Sequence, residues 1–292
     1  MNSLYRLTLV LALSIASQVV NAATLISNQD FESASLPTGE GWGFGAQGGG
    51  AVSIATEASL NHNGSKGSIK GSYPLATGGV YVWGGYNIAA LKLSDVYIEF
   101  WAKMPKATQG IKFLKIFGVR GASDYANTTF ALVSDAGIQG SITQVSFGDG
   151  THTTNDTQNV INLDGAYPSW IGRSYGKASV LTPQKSRWPG SNWGTSWHRF
   201  KVHVKFNSGT TAANEVADGE YYLEIDNVVY VDAKGLFNRH YSNGPIEKIS
   251  FFDWAQNGTS PFELWFDDIR ISTGGFLSDN PMPPVDPRLT NE

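Results

Sequence analysis

The sequence predicts an all-β sandwich of antiparallel strands, and three observations predict it. Alternating apolar and polar residues recur along the chain while helical periodicity does not. Glycine (33 residues), asparagine and serine punctuate the alternating runs. Cysteine is absent, so no disulfide framework or thiol chemistry is available.

The clearest strand is Val96–Met104, with Ile98, Phe100, Ala102 and Met104 on one face and Tyr97, Glu99, Trp101 and Lys103 on the other. Trp197–Phe206 alternates in the same way. Phe200, Val202, Val204 and Phe206 read as its core face, and Arg199, Lys201, His203 and Lys205 lie opposite. Tyr221–Ile225, Val228–Val231, Ile246–Trp254 and Phe262–Ser272 complete a C-terminal run of strands. Asp226-Asn227 reads as a two-residue hairpin turn within that run. Two stretches read as loops: glycine-rich Gly39–Gly50 and the long polar Asp149–Gly194, whose Trp170, Trp188 and Trp193 argue against a solvated linker.

At the N-terminus, Arg6, the apolar run Leu7–Ala16 and the small residues around Ala22 read as a secretory signal peptide over 1–22. The apolar run falls short of the roughly 20 residues a membrane span needs. Residues 23–278 then form one domain, and Pro-rich 279–292 an extended or disordered tail. A secreted protein, periplasmic or extracellular, follows. Net charge is −4 with 16% charged residues, which argues against nucleic acid as the partner. Nine tryptophans suit a surface that stacks on sugar rings, which makes polysaccharide the expected partner.

Two resemblances sharpen this. Asn28–Glu32, then Gly41-Trp42 and Asn61–Gly67, with Trp265–Ile269 near the other end, resemble jelly-roll carbohydrate-binding modules. Phe100–Gly118, Trp197–Arg199, Asp218-Gly219, Glu224–Asp226 and Phe237–Arg239 resemble the concanavalin A-like jelly rolls of secreted polysaccharide lyases. Both imply a jelly-roll β-sandwich of two antiparallel sheets with a concave groove. The first implies a structural calcium ion that ties the first strand to the last through Glu32 and Asp268. Backbone carbonyls would complete the six to eight oxygens calcium takes. Because strand neighbours point oppositely, only one of Asp267 and Asp268 is expected to face inward.

The lyase resemblance implies β-elimination on an acidic glycan. That chemistry needs a cation on the substrate carboxylate, a base for the C5 proton and an acid for the leaving oxygen. Lys115 or Arg120 would supply the cation, and His203, His240 or Tyr241 the proton transfers, with Arg239 in the same compact group. Tyr97, Trp101, Arg199, Lys201, Trp188 and Trp193 are the expected substrate contacts. The basic stripe Arg199, Lys201 and His203 is equally what a solvated convex face shows. The Gln-Ile-His type of lyase motif is absent. A non-catalytic binding module or lectin using Trp101 and the other tryptophans, and a structural or adhesive surface protein, are the competing readings.

Overall fold

The computed structural model describes residues 22–39, 41–57, 61–74, 79–103, 111–118, 128–134, 142–147, 159–162, 169–174, 177–181, 196–211, 213–236, 239, 244–252, 254–255 and 261–277. The expected signal peptide (save Ala22) and Pro-rich tail lie outside them. No helix among these residues is long and apolar enough to cross a membrane.

Eighteen strands follow in chain order: β1 (Thr24–Gln29), β2 (Trp42–Gln47), β3 (Ala51–Ala55), β4 (Ser68–Tyr73), β5 (Val80–Asn87), β6 (Asp95–Lys103), β7 (Ile111–Gly118), β8 (Thr128–Ser134) and β9 (Ile142–Phe147). After them come β10 (Asn159–Asn162), β11 (Ser169–Ser174), β12 (Lys177–Leu181), β13 (His198–Lys205), β14 (Gly219–Ile225), β15 (Val228–Leu236), β16 (Ile246–Phe251), β17 (Trp254–Ala255) and β18 (Phe262–Thr273). One sheet has the order β15-β14-β13-β6-β18-β4-β3, with β1 also on β18. The other runs β10-β9-β8-β7-β16-β5, with β17 also between β7 and β5, and β2 on the far side of β5. Every pairing in both sheets is antiparallel.

The sandwich forms because alternation gives each sheet one apolar face. Ile98, Phe100 and Ala102 of β6 and Phe200, Val202 and Val204 of β13 are buried in the same core as Leu114 and Ile116 of β7 and Ile249 and Phe251 of β16. Phe100 sits at the centre, stacked on Phe200 at 5.0 Å and edge-on to Phe251 at 5.7 Å. Phe252 leaves β16 with φ +63 and stays fully buried. Its ring occupies the space a Cβ on Gly71 would take, at 2.5 Å, so that position of β4 admits only glycine without repacking.

The two expected loops contain strands. Gly39–Gly50 carries β2, in which Trp42, Phe44 and Ala46 pack on the core and Gly43 and Gly45 take the other face. Residues 149–194 contain β10, β11 and β12, with Trp170 in β11 rather than in a loop. The expected turn at Asp226-Asn227 is present, with φ +51 and +64 between paired Ile225 and Val228. Both residues occupy the left-handed region that such a turn requires. A β-branched residue is penalised there, so Asn227→Val is expected to lower stability by about 1–2 kcal/mol, read as a shifted urea midpoint with unchanged slope. Asn227→Gly should cost nothing measurable.

Candidate functional site: the outer face of the second sheet

Lys115 lies between buried Leu114 and Ile116, so it takes the face of β7 turned away from the core. Directly opposite residues of an antiparallel pair share a face. Register then carries a straight row across the sheet. Lys115 is opposite Ala131 on one side and Ser250 on the other. Ala131 continues to Ser146, and Ser250 to Gly85 and then Gly43. From Ser146 to Gly43 every residue in this row except Lys115 is serine, alanine or glycine.

The small residues let long side chains lie flat on the sheet. A Cβ on Gly85 would fall 2.5 Å from Cε of Lys248, so the lysine stem crosses the sheet over that glycine. Its ammonium sits over the Trp83 ring, 4.6 Å from the centroid. Such a pair contributes roughly 0.5–1 kcal/mol when exposed. The indole in turn rests on β2, where a Cβ on Gly45 would meet Cζ2 at 2.5 Å. Trp83 is therefore a half-buried strand residue seated on glycine. Lys248 is flanked in sequence by Glu247 and Ile249, and no pattern in the run Ile246–Trp254 sets it apart.

The basic stripe of β13 is elsewhere. Arg199, Lys201 and His203 take the outer face of the first sheet, opposite in direction to core residues Phe200, Val202 and Val204. The structure does not bring them to Lys115, which belongs to the other sheet. Each meets an acid on its own sheet: Arg199 Nε donates to Glu99 at 3.0 Å, Lys201 lies 3.7 Å from Glu224, and His203 Nε2 lies 2.8 Å from Asp95 Oδ1. His203 also stacks on Tyr97 at 4.0 Å, and Phe276 covers Tyr97 edge-on at 5.0 Å. Burial, with Asp95 and Glu220 nearby, pushes the Tyr97 hydroxyl up to about 12. Trp101 stacks on His62 at 3.9 Å. These expected contacts are thus committed to one another, and His203 is not placed to move a proton at Lys115.

Arg239 braces a turn. Its backbone N–H donates to Asn207 Oδ1 at 2.6 Å, its Nε to the Asn207 carbonyl at 3.1 Å and its Nη2 to the Gly209 carbonyl at 2.6 Å. Arg120, Trp188, Trp193, His240 and Tyr241 lie outside the described residues. Among the described residues, Gly118 at the end of β7 and Ile246 at the start of β16 are partners.

The residues expected at a metal meet one loop. Lys66 N–H donates to Glu32 Oε1 at 3.0 Å, and His62 Nδ1 lies 2.9 Å from Asp268 Oδ2. Asp267 Oδ2 accepts from Ser65 Oγ at 2.8 Å and from His62 N–H at 3.3 Å. Both neighbouring aspartates therefore reach the 61–67 loop. Alternation fails here because Asp268 has φ +48 in a bulge of β18 against β6. Asp267 is fully buried, and burial pushes its carboxyl up to about 7, against the pull of its hydrogen bonds. Among the described residues, no three acidic or histidine side chains converge on a point.

No family model and no curated protein matches the chain. Among solved structures it is similar to an endo-β-1,4-glucuronan lyase from the fungus Trichoderma reesei, with a TM-score of 0.55 at 13% identity over 86% of this chain and 96% of that one. The sandwich is a jelly roll. Looser likenesses link the jelly roll to alginate lyase vAL-1 from Chlorella virus (TM-score 0.48, 13% identity, 85% of this chain and 99% of that one). They also link it to the cellulose-induced protein Cip1 (TM-score 0.44, 16% identity, 79% and 90%).

Proposed function

We propose that this jelly roll is a secreted protein that engages an acidic polysaccharide along the outer face of the second sheet and cleaves it by β-elimination. The observation that carries the reading is the register row in which Lys115 rises alone among serine, alanine and glycine. A uronate that reaches this face brings its carboxylate to the ammonium. Neutralising that carboxylate stabilises the carbanion formed when the C5 proton leaves. Arg120, His240 and Tyr241, which lie outside the described residues, are the groups we assign to the remaining charge and proton transfers. The lyase among the structures of similar fold supports the reaction class.

Calcium belongs to the same proposal in a structural role. Glu32 and Asp268 both bond to the 61–67 loop, which brings two carboxylates from opposite ends of the domain to one place. Glu32 and Asp268, with loop carbonyls, would hold the ion. It would tie the start of the chain to its last strand.

The test is incubation of the purified protein with alginate, pectin, glucuronan and heparin-type polymers, following ultraviolet absorbance of the unsaturated product. Absorbance rising on at least one uronate polymer is the expected result. Silence on all four, with retention on a polysaccharide gel, would remove the catalytic step and leave a binding module. Silence with no retention would overturn the polysaccharide reading.

A further inference from the structure

We infer that Trp83 and Lys248 build a wall across the β5 end of the Lys115 row, so that this face takes the end of a uronate chain and releases short units from it. The inference rests on the proposed β-elimination at Lys115 and adds to it the mode of attack and the two side chains that set it. Neither side chain is asked to bind substrate, because each acts through the volume it fills.

Three observations carry it. First, the wall stands on the row itself. A Cβ on Gly85 would fall 2.5 Å from Lys248 Cε, so the lysine stem fills the space above that position. The indole fills the next one, with Cζ3 at 3.5 Å from a would-be Cβ on Gly43. Gly85 and Gly43, the last two positions of the row, are therefore covered by side chains rooted beside them. Second, the two parts brace each other. The indole rests on β2 at Gly45, and the Lys248 ammonium sits 4.6 Å from its centroid on β5. Glycine backbone beneath and ammonium above leave no ring face for a sugar, and steric exclusion is the role that remains. Third, closure reaches almost to Lys115. Gly84 and Gly85 are buried and Ser250, directly opposite Lys115, is 3% exposed, whereas Lys115 itself is half-buried.

The distances turn this wall into a length limit. From Lys115 to Gly85 the row crosses two strand steps, about 10 Å. A sugar chain crossing the strands from Lys115 toward β5 has room for about one disaccharide before it meets the lysine stem. In the other direction the row continues to Ala131 and Ser146. Elimination takes the C5 proton of the residue at Lys115, forms the C4=C5 double bond and breaks the C4–O bond, whose oxygen takes up a proton. With the wall this near, the broken bond always lies close to a chain end.

The experiment follows viscosity, ultraviolet absorbance and product size together on glucuronan and alginate. It uses the wild type, Lys248→Met and the double variant Trp83→Ala/Lys248→Ala. The wild type is expected to give monomers and dimers from the start, with little early loss of viscosity. The double variant should release longer fragments and raise the viscosity loss per unsaturated end about 10-fold. Lys248→Met keeps the stem over Gly85 and removes the charge, and it should keep the wild-type product pattern. Where the double variant loses more than about 2 °C of thermal midpoint, Trp83→Leu, which keeps an apolar cover on Gly45 but shortens the wall, is read in its place. Long fragments and an early viscosity collapse with the wild type overturn the wall and leave β-elimination standing. So does a double variant that still releases only monomers and dimers. A Lys248→Met pattern equal to that of the double variant overturns it as well, because charge rather than volume would then set the length. No unsaturated product on either polymer, with a viscosity that never falls, overturns the elimination on these uronates and the wall with it.

Discussion

Lys115→Met is expected to lower kcat on a uronate polymer by about 100- to 1,000-fold, the usual cost of removing one group that meets developing charge. Methionine keeps the length and the apolar stem, so the sheet should be undisturbed. Lys115 is on the outer face, and no core contact is lost with its charge. The thermal midpoint should stay within a degree or two of the wild type, and KM should rise less than kcat falls. A variant that turns over normally would place the reaction away from the Ser146–Gly43 row. A variant that loses activity and stability together would show Lys115 to be structural.

Acid and base should act on this protein through Asp267. Its carboxyl stands near 7 in the folded chain against 3.8 for the ordinary group, with burial the main cause. The folded state thus holds the proton more tightly than the unfolded state. The associated stability is fully present below about pH 4 and is lost as pH rises through about 7. Three pH units correspond to at most about 4 kcal/mol. In chelator, the urea midpoint is expected to fall between pH 4 and 7 and then level off. Asp267→Asn should flatten that fall. It also leaves one of the three donors, Ser65 Oγ, His62 N–H or Asp268 N–H, facing an amide N–H, at a uniform cost of about 1 kcal/mol. Calcium would hold the carboxylate ionised and reverse the trend. At 100 times its Kd it adds about 2.7 kcal/mol, most clearly near pH 8. A profile that calcium leaves untouched at every pH would remove the ion from the proposal. A wild-type profile flat from pH 4 to 7 in chelator would remove Asp267 as the responsible group.

The strands with one buried face were plain in the sequence, because burial on one side writes a period of two. β6 and β13 begin and end within a residue of the expected runs. What misled was glycine. In β2 the residues Gly43 and Gly45 look like loop punctuation, but they alternate with Trp42, Phe44 and Ala46, so the period of two was present with glycine standing for the outer residue. Local content argued for flexibility while the demand came from Trp83, forty residues away, which needs a bare backbone to lie on.

The candidate site was half legible for a related reason. Lys115 could be picked out by type and by resemblance, but the stripe Arg199, Lys201 and His203 has the same pattern whether it faces a ligand or its own acids. Only pairing distinguishes the two, and Glu99, Asp95 and Glu224 come from strands up to 108 residues distant. The alternation argument at Asp267 and Asp268 failed because one left-handed residue in a bulge resets the phase.

That bulge divides β18 into two working lengths. Residues 262–266 pair with β4 and residues 269–273 with β1, while the strand meets β6 along its other edge. The last strand is thus the seam between the earliest strands and the middle of the chain. During synthesis this seam leaves the ribosome after every other described strand. Until then β1 has no edge to join and the β3–β4 pair stands apart from β6, and the contacts that close the first sheet span about 250 residues of sequence, Thr24 to Thr273. Such long-range closure is slow. A sheet that is completed by a late strand has that delay built into its topology.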